Sequence, residues 1–394
     1  MKRAALLGEL IRTGFVAVAF LLISRELPLQ DVGIVSAISA ALAIIGPIAT
    51  LGLPFKVLRD SSRGASQVNY RSALLTVCTV TGPVFVCICM AVVYPYSQDT
   101  EIIAIAAMVL AECWLLIAFT LLMSHSIGAR RPAALSLSSA LVSVPRLAGA
   151  LALLFHPEPS VEYYAYVLIL FALPAVFCSW LLLPKQGRVR FLPMRELFAD
   201  RKAGGYSTSS SLLSRCSDDM DKLFLGFMRG ADEVALYSIP YRLTFYAMIP
   251  GRALLSSKMS GWYRRNGQEA RGEALSVIVG TSLSGCVLSG IVYVTWPYLC
   301  SEVIGIQYAS VQPLILLFGL AVVLRGVHYT LGELMFAKMM MGRRNCVQLI
   351  AVLSGILAML VLIPSDGIVG AGISTLLIES MTLLGYLGVL YAKR

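Results

Sequence analysis

The sequence predicts an all-α polytopic membrane protein, with about 12 transmembrane helices in two six-helix lobes related by a parallel repeat. The first observation is composition. Of the 394 residues, 58% are hydrophobic and only 14% are charged, whereas a soluble domain is about 45–50% apolar and about 25% charged. The second is patterning. A spanning helix needs about 20 apolar residues, and the chain contains twelve runs of about that length.

The twelve runs are bounded by charged or turn-forming residues. They cover roughly residues 4–24, 32–55, 72–94, 102–124, 132–155, 162–184, 205–228, 234–257, 273–296, 310–330, 346–363 and 368–391. A polar stretch over 185–203 divides them into predicted lobes at 1–184 and 204–394. We predict a basic cytoplasmic linker here, which is either plain or contains a short amphipathic helix on the membrane surface.

The basic residues predict the orientation of the runs. With the N-terminus on the cytoplasmic side, the cytoplasmic segments contain 23 Lys and Arg residues, and the opposite segments contain only Arg25 and Arg229. Cytoplasmic loops of membrane proteins are rich in Lys and Arg. Both termini are therefore predicted to be cytoplasmic, and the net charge of +10 does not indicate a nucleic-acid partner.

Two short segments indicate an internal repeat. After the first run the chain contains Asp31–Ser36, and after the seventh it contains Glu233–Ser238. Both segments have an acid, a Val, a small residue, an aliphatic residue, a variable residue and a Ser, in this order. In each copy a proline follows the acid, sixteen residues later at Pro47 and seventeen residues later at Pro250. Six runs separate the copies, so both begin on the same side of the membrane. This arrangement is a parallel repeat, as in some transporters.

The seventh run contains a dense group of charges: Arg215, Asp218, Asp219, Asp221 and Lys222. Arg215 and Lys222 each stand three or four residues from Asp218 and Asp219, a spacing at which helical side chains pair. Asp221 has no such partner. Because a lipid-facing charge costs several kcal/mol, we expect this segment either to line a substrate cavity or to form an ion-pair seam between the halves.

Other charges lie deep within their runs. Each of these is predicted to be a group lining a cavity or one half of a buried pair: Glu112, Arg146, Arg242, Arg325 and Glu379. No phosphate-binding loop is present, so we expect no built-in ATPase. The three histidines lack metal-ligand spacing. We therefore predict a transporter rather than an enzyme, with no catalytic residues, no metal and no cofactor.

The stretch from Asp221 to Arg242, DKLFLGFMRGADEVALYSIPYR, resembles a segment of the bacterial polysaccharide (O-antigen type) flippase family. That family has an acid and a base, then Leu-Gly, then acid-Val-Gly-Leu-Tyr-Ser, then Tyr-Arg. Residues 51–54, Leu-Gly-Leu-Pro, resemble the end of the family's second span. The family belongs to the multidrug/oligosaccharidyl-lipid/polysaccharide exporter superfamily, whose members look like two six-helix lobes around a central cavity.

The resemblance implies a flippase that moves an undecaprenyl-diphosphate-linked oligosaccharide across the bacterial cytoplasmic (inner) membrane by alternating access. The cargo is an O-antigen (lipopolysaccharide), capsule or exopolysaccharide repeat unit. Basic side chains form charge-assisted hydrogen bonds with phosphate, so the candidate substrate-binding residues are Arg146, Arg215, Lys222, Arg242 and Arg325. The candidates for coupling to H+ or Na+ are Asp221, Glu112 and Glu379. Expected partners are the lipid-linked oligosaccharide, membrane lipids, and a polysaccharide polymerase with its assembly proteins.

Two alternatives remain open from the sequence. A multidrug/cation antiporter of the same superfamily needs a net acidic cavity, which five deep basic residues oppose. A membrane-embedded polysaccharide biosynthesis enzyme needs a reactive group of residues at one face, and the sequence shows none.

Overall fold

The computed structural model describes residues 2–50, 52–62, 69–96, 100–129, 131–184, 188–193, 201–264 and 270–392. Within these ranges the regular elements are helices, and no strand occurs. Contacts between residues divide the chain into two units, Met1–Leu212 and Leu213–Arg394. We call them unit 1 and unit 2.

The described residues of unit 1 form eight helices, which provide six spans. They are α1 (Lys2–Glu26), α2 (Leu29–Ala49), α3 (Leu53–Ser62), α4 (Tyr70–Thr76), α5 (Gly82–Val93), α6 (Ile102–Gly128), α7 (Pro132–Leu153) and α8 (Val161–Leu182). A π-helical turn joins α4 to α5 into one span. The second span is α2, which ends at Ala49, and Gly52 then has a φ of 73° before α3 begins, a conformation that glycine adopts readily.

The described residues of unit 2 belong to six helices. Five of these helices lie entirely within the unit, and α9 crosses the boundary between the units. The helices are α9 (Arg201–Arg229), α10 (Ala231–Phe245), α11 (Ile249–Arg264), α12 (Ala270–Leu299), α13 (Leu314–Ala337) and α14 (Met341–Tyr391). One 3-10 turn joins α10 to α11. The long α14 is two helical arms that meet at Gly367, where φ is 54°, a conformation that only glycine adopts readily.

The predicted span number and fold class are confirmed. In the part of the chain that the structure describes, eight helices are long and apolar enough to cross a membrane, and α14 is one of these eight. Counting its two arms separately, and adding α1, α9 and the α10–α11 pair, gives twelve. The predicted gap between the last two apolar runs coincides with the kink at Gly367.

The segment after α8 is extended rather than helical over residues 188–193. The backbone amides of Arg190 and Leu192 donate to Ser72 Oγ (3.0 Å) and Thr76 Oγ1 (2.9 Å) on α4. Of the two predicted alternatives, the amphipathic helix does not occur over these six residues, where two backbone amides bond to side-chain acceptors on α4 instead. Residues 185–187 and 194–200 of the same linker lie outside the described ranges, and the lobe boundaries at 184 and 204 stay predictions.

The acids that mark the predicted repeat occupy matching positions. In unit 1, Asp31 Oδ2 accepts the backbone N–H of Val161 (3.3 Å), at the start of the sixth span. In unit 2, the Glu233 carboxylate lies against Gly367, where the last span begins, and a Cβ on that glycine would stand 2.9 Å from Glu233 Oε2. A carboxylate at a helix N-terminus is favourable because the helix dipole is positive there. The two arrangements agree with a parallel repeat.

A basic side chain completes the turn at the kink of α14. Arg229, at the end of α9, donates from Nε to the Ile363 carbonyl (3.1 Å) and from Nη2 to the Pro364 carbonyl (2.9 Å). These carbonyls belong to the end of the first arm, where a helix leaves acceptors unpaired. Arg229 and Glu233 therefore stabilise the two opposite helix ends that meet at Gly367.

Candidate functional site

A buried group of charged side chains in unit 2 begins on α9 with Lys222, which is only 1% exposed. Its Nζ donates to Asp219 Oδ1 (2.9 Å) and to the Asp218 backbone carbonyl (2.8 Å). The same Nζ lies 3.8 Å from the centre of the Tyr241 ring, a distance at which a cation is attracted to the ring face. The predicted pairing of Lys222 with Asp219 along one helix face is confirmed.

Asp221 is also 1% exposed, and it is fully paired. Its Oδ2 accepts hydrogen bonds from the hydroxyls of Tyr237 (2.5 Å) and Thr375 (2.8 Å). Its Oδ1 accepts the backbone N–H of Lys222 (2.8 Å). The expectation that Asp221 lacks a basic partner is wrong, because Lys222 Nζ lies 3.4 Å from Asp221 Oδ1. The hydroxyl donors come from α10 and α14.

Arg325 of α13 connects α9 to α14. Its Nη1 lies 2.7 Å from Asp218 Oδ1 and donates to the Tyr241 hydroxyl (3.1 Å). Its Nε donates to Glu379 Oε1 (2.6 Å), and Nη2 contacts the same oxygen. Arg325 is 2% exposed and Glu379 is 0% exposed. Of the two predicted alternatives for these residues, the structure shows the buried pair.

His328 is a member of this group that sequence reasoning missed. Its Nε2 contacts Glu379 Oε2, while its Nδ1 is buried with no hydrogen-bond partner among the described residues. The sequence does contain a signal for it. On α14, polar residues with spacings of four, three and four share one buried helix face: Thr375, Glu379, Thr382 and Tyr386. A polar face of this kind requires polar partners on a neighbouring helix, and Arg325 and His328 of α13 provide two of them.

The group, which we call the unit 2 network, has an excess of acid. Its carboxylates are Asp218, Asp219, Asp221 and Glu379, and its permanently basic side chains are Lys222 and Arg325. Four carboxylates that share two cations attract further positive charge, because a neighbouring like charge disfavours ionisation. The network is therefore suited to take up a proton or a small cation.

Unit 1 contains a simpler arrangement, a single pair between α6 and α7. Arg146 Nε donates to both carboxylate oxygens of Glu112, at 2.8 and 3.1 Å, and Arg146 Nη2 also contacts Oε2. The side chains are 24% and 10% exposed, respectively. For these two residues, as for Arg325 and Glu379, the structure shows the buried pair rather than an unpaired cavity group.

The two remaining candidates are Arg215 and Arg242. The side chain of Arg215 is exposed on α9, and it forms no ion pair with a described residue. Its predicted pairing with Asp218 and Asp219 is wrong, because those carboxylates pair with Arg325 and Lys222 instead. Arg242 is half-buried on α10.

Comparisons with known proteins identify the family. Residues 4–260 match the family model described as "Polysaccharide biosynthesis protein", which is more than half of the chain. No curated protein matches the sequence. The flippase resemblance seen in the sequence is thus confirmed at the level of this family.

Solved structures show the fold. The lipid II flippase MurJ, in an inward closed conformation, aligns with a TM-score of 0.72 at 10% identity, over 98% of this chain and 86% of that one. An inward-facing multidrug resistance MATE family transporter of the MOP superfamily aligns with a TM-score of 0.68 at 13% identity, over 98% and 94%. A MOP superfamily transporter from Pyrococcus furiosus aligns with a TM-score of 0.67 at 14% identity, over 100% and 94%. The chain therefore belongs to the polysaccharide biosynthesis protein family and has the fold of the MOP-superfamily transporters.

Proposed function

We propose that the protein is a flippase that moves an undecaprenyl-diphosphate-linked oligosaccharide across the bacterial cytoplasmic membrane by alternating access. Two comparisons support the substrate class: the family is described by polysaccharide biosynthesis, and a flippase named for a lipid cargo shares the fold. The observation that carries the mechanism is the unit 2 network, in which carboxylates already hold the buried basic side chains.

The diphosphate of the cargo has to compete with these carboxylates. Arg325 is bound by Asp218 and Glu379, so it can form charge-assisted hydrogen bonds with phosphate only after a carboxylate is neutralised. Cation uptake by the network therefore releases a basic side chain to the substrate, and cation loss returns that side chain to its carboxylate. This exchange couples ion binding to substrate binding. The same exchange of partners applies to Lys222. In unit 1 it applies to Arg146, which is paired with Glu112.

The proposal gives the exposed basic residue a different role. Arg215 forms no ion pair with a described residue, so its positive charge is available in every ionisation state of the carboxylates. We assign to Arg215 the first attraction of the diphosphate, with the half-buried Arg242 as a second contact. Lys222, Arg325 and Arg146 follow as exchangeable contacts.

The coupling ion is a proton or sodium, and two sites differ in what they suit. At Asp221 the Oδ2 atom accepts from the hydroxyls of Tyr237 and Thr375, whose oxygen atoms are of the kind that hard cations prefer. Lys222 Nζ lies 3.4 Å from Oδ1, so a cation bound there has to displace this ammonium group. At Glu379 the neighbour is His328, whose imidazole is a common proton carrier. Glu112 is the third candidate, paired with Arg146.

The cellular context is part of the same proposal. We place the protein in the inner membrane with both termini cytoplasmic. Its cargo is an O-antigen, capsule or exopolysaccharide repeat unit, delivered to a polysaccharide polymerase and its assembly proteins. The acidic excess of the unit 2 network favours one competing function, the export of cationic drugs by an antiporter.

Complementation separates the two functions. A strain that lacks its own O-antigen flippase receives the wild-type gene, Arg215→Ala, or the control Arg343→Ala, which removes an exposed basic residue of unit 2. We expect wild type and Arg343→Ala to restore surface polysaccharide and to clear the accumulated lipid-linked sugar. We expect Arg215→Ala to fail although the variant reaches the membrane. Drug resistance on expression, with no rescue in any donor pathway, would establish the antiporter instead.

A further inference from the structure

We infer that His328 is a proton relay that connects the buried Glu379 to a polar path along Tyr386, Arg344 and Gln348, at the predicted cytoplasmic end of unit 2. The inference rests on the proposed function for its biological use, because it specifies how the coupling step of that transporter is supplied with protons. The relay itself can be tested without any substrate.

The relay starts from the two nitrogens of one imidazole ring. Nε2 of His328 contacts Glu379 Oε2, and Nδ1 is buried without a hydrogen-bond partner among the described residues. Glu379 is 0% exposed and therefore cannot exchange protons with bulk solvent directly. An imidazole can accept a proton on one nitrogen and donate from the other, so His328 is placed to make this exchange.

The path continues from His328 toward the loop between α13 and α14. The ring of Tyr386 lies 6.1 Å from the ring of His328, centroid to centroid. Tyr386 and Arg344 flank Gly332, where a Cβ would stand 3.2 Å from Tyr386 Cε2 and 3.3 Å from Arg344 Nε. Gln348 follows Arg344 by one helical turn. Tyr386 is thus the bridge between the relay and the entrance of the path.

Unpaired polar atoms mark this path as hydrated. Gln348 Oε1 and His328 Nδ1 are buried, and neither has a hydrogen-bond partner among the described residues. Buried polar groups in native proteins are almost always satisfied, by ordered water where no protein group is present. The Tyr386 hydroxyl and the Arg344 side chain, which interact with each other, lie between these two atoms, so the stretch offers the contacts that a short chain of water molecules needs.

The charges around His328 favour passage of the proton over its storage. The titratable and charged groups that face the ring or its immediate neighbours are Arg325, Tyr329, Glu379, Tyr386, Arg344 and Glu333, with Asp218 beyond Arg325 and Arg252 beside Tyr329. Arg325 is a permanent cation on the same helix. It repels an imidazolium, while Glu379 next to the ring is the group that can accept the proton.

The proton balance of the step is simple. A proton from the hydrated side bonds to Nδ1 of neutral His328. The Nε2–H bond then breaks, and its proton bonds to Glu379 Oε2. His328 is neutral again, Glu379 is a neutral acid, and Arg325 retains only Asp218 as a charged partner. The reverse step returns the proton to the same side, and its release to the opposite side requires the alternating-access movement of the proposed function.

Histidine NMR tests the relay directly. The chain contains three histidines, so the full protein labelled with 15N-histidine in nanodiscs gives few side-chain signals, and His328→Gln assigns those of His328. We expect a neutral imidazole that is protonated at Nε2, exchanges with solvent, and shifts in Glu379→Gln. A permanently charged ring, or signals that Glu379→Gln leaves unchanged, would overturn the relay.

Proton flux gives the second readout. In proteoliposomes of phosphatidylethanolamine and phosphatidylglycerol containing a pH-sensitive dye, we expect His328→Gln to slow proton entry under an imposed pH gradient by about a hundredfold, the usual contribution of a positioned proton-transfer group. Glutamine retains a donor toward Glu379 but has no basic nitrogen. Tyr386→Phe should slow entry less, and His156→Gln, a histidine of unit 1, should not change it.

The outcomes separate this inference from the proposed function. Wild-type protein that moves protons but rescues no polysaccharide pathway would leave the relay intact and remove the flippase. Rescue by wild type together with wild-type proton entry in both His328→Gln and Tyr386→Phe would leave the flippase intact and remove the relay. The charge and the solvent exchange of the His328 ring are measured on the wild-type protein, so they test the relay even where Glu379→Gln fails to fold.

Discussion

The two units of the molecule differ in their buried charge although their scaffolds correspond. Each contributes six spans, and each places an acid of its second span at the start of its sixth, Asp31 in unit 1 and Glu233 in unit 2. Among the described residues of unit 1, Glu112 pairs with Arg146 between two helices. Unit 2 joins α9, α10, α13 and α14 through the unit 2 network. The fold alone therefore does not require the network, which points to a role in coupling rather than in the scaffold.

The difference also has an energetic side. Removing one partner of a buried ion pair leaves an uncompensated charge, which costs more than the pair itself contributes. In unit 2 each basic residue serves at least two carboxylates, so its loss strands several charges at once. In unit 1 the stranded group is a single carboxylate that is 10% exposed. The predictions below test this contrast, from the largest expected effect to the smallest.

The two units should differ most clearly in their loss of stability when the deep arginine of each, Arg325 or Arg146, is replaced. We expect Arg325→Met to lower the free energy of unfolding by about 3–5 kcal/mol, because the buried Glu379 and the 14%-exposed Asp218 both lose this cation. Arg146→Met should cost less, since one carboxylate, that of Glu112, loses its cation. Thermal unfolding in detergent, followed by tryptophan fluorescence, measures both. Equal losses would show that the unit 2 network carries no additional stability.

The tyrosine hydroxyl at Asp221 tests how firmly the network holds its carboxylates. We expect Tyr237→Phe to cost about 1.5–3 kcal/mol, the range for a hydrogen bond to a charged group. The control is Tyr298→Phe, whose side chain is 66% exposed and which should leave stability unchanged. The same unfolding measurement applies. A neutral effect of Tyr237→Phe would indicate that Asp221 is satisfied by other donors.

The kink of α14 gives a smaller effect with a matched control on the same arm. Gly367→Ala forces a side chain into a left-handed conformation and against Glu233 Oε2, so we expect a loss of about 1–3 kcal/mol. At Gly388 a Cβ would meet nothing within 4 Å, and Gly388→Ala should stabilise the helix by about 0.5–1 kcal/mol. Differential scanning fluorimetry compares the two; a stabilised Gly367→Ala would contradict the geometry of the kink.

The smallest expected effect on stability concerns the acid that each unit places at the start of its sixth span. Asp31→Asn and Glu233→Gln each remove a negative charge from the start of a sixth span. We expect each to cost about 0.3–1 kcal/mol, the range for a charge at a helix N-terminus, and the two losses to be similar. Glu158→Gln, at an exposed position of unit 1, serves as the control. Losses that differ widely would count against equivalent positions in a repeat.

Composition and charge alternation were sufficient to predict the fold class and the span number, because both follow from the solvent. Each span must be apolar over about 20 residues, so each span can be recognised from its own stretch of sequence. The kink at Gly367 falls in a predicted gap for the same reason. Local competition explains the absence of the amphipathic helix over residues 188–193, where Ser72 and Thr76 accept the backbone amides.

The candidate site was predictable only in part. The Lys222–Asp219 pair follows from helical spacing, whereas the hydroxyl partners of Asp221 lie 16 and 154 positions away. Composition does not specify which helices pack together or how each is rotated about its axis. The spacing from Thr375 to Tyr386 could have shown that α14 has a polar buried face. It could not have named Arg325 and His328 as the partners of that face.

The contacts of Arg229 and Glu233 at the Gly367 kink have a consequence for how the chain is inserted into the membrane. Arg229 and Glu233 contact residues about 134 positions later in the chain, so they are synthesised and inserted well before the last hairpin leaves the ribosome. When the two arms of α14 enter the bilayer, the groups that cap the new helix ends already stand at the membrane surface. The groups that contact the two arms are therefore in place before the arms are inserted. We expect substitutions of Arg229 or Glu233 to cause incomplete insertion of the C-terminal arm during biogenesis.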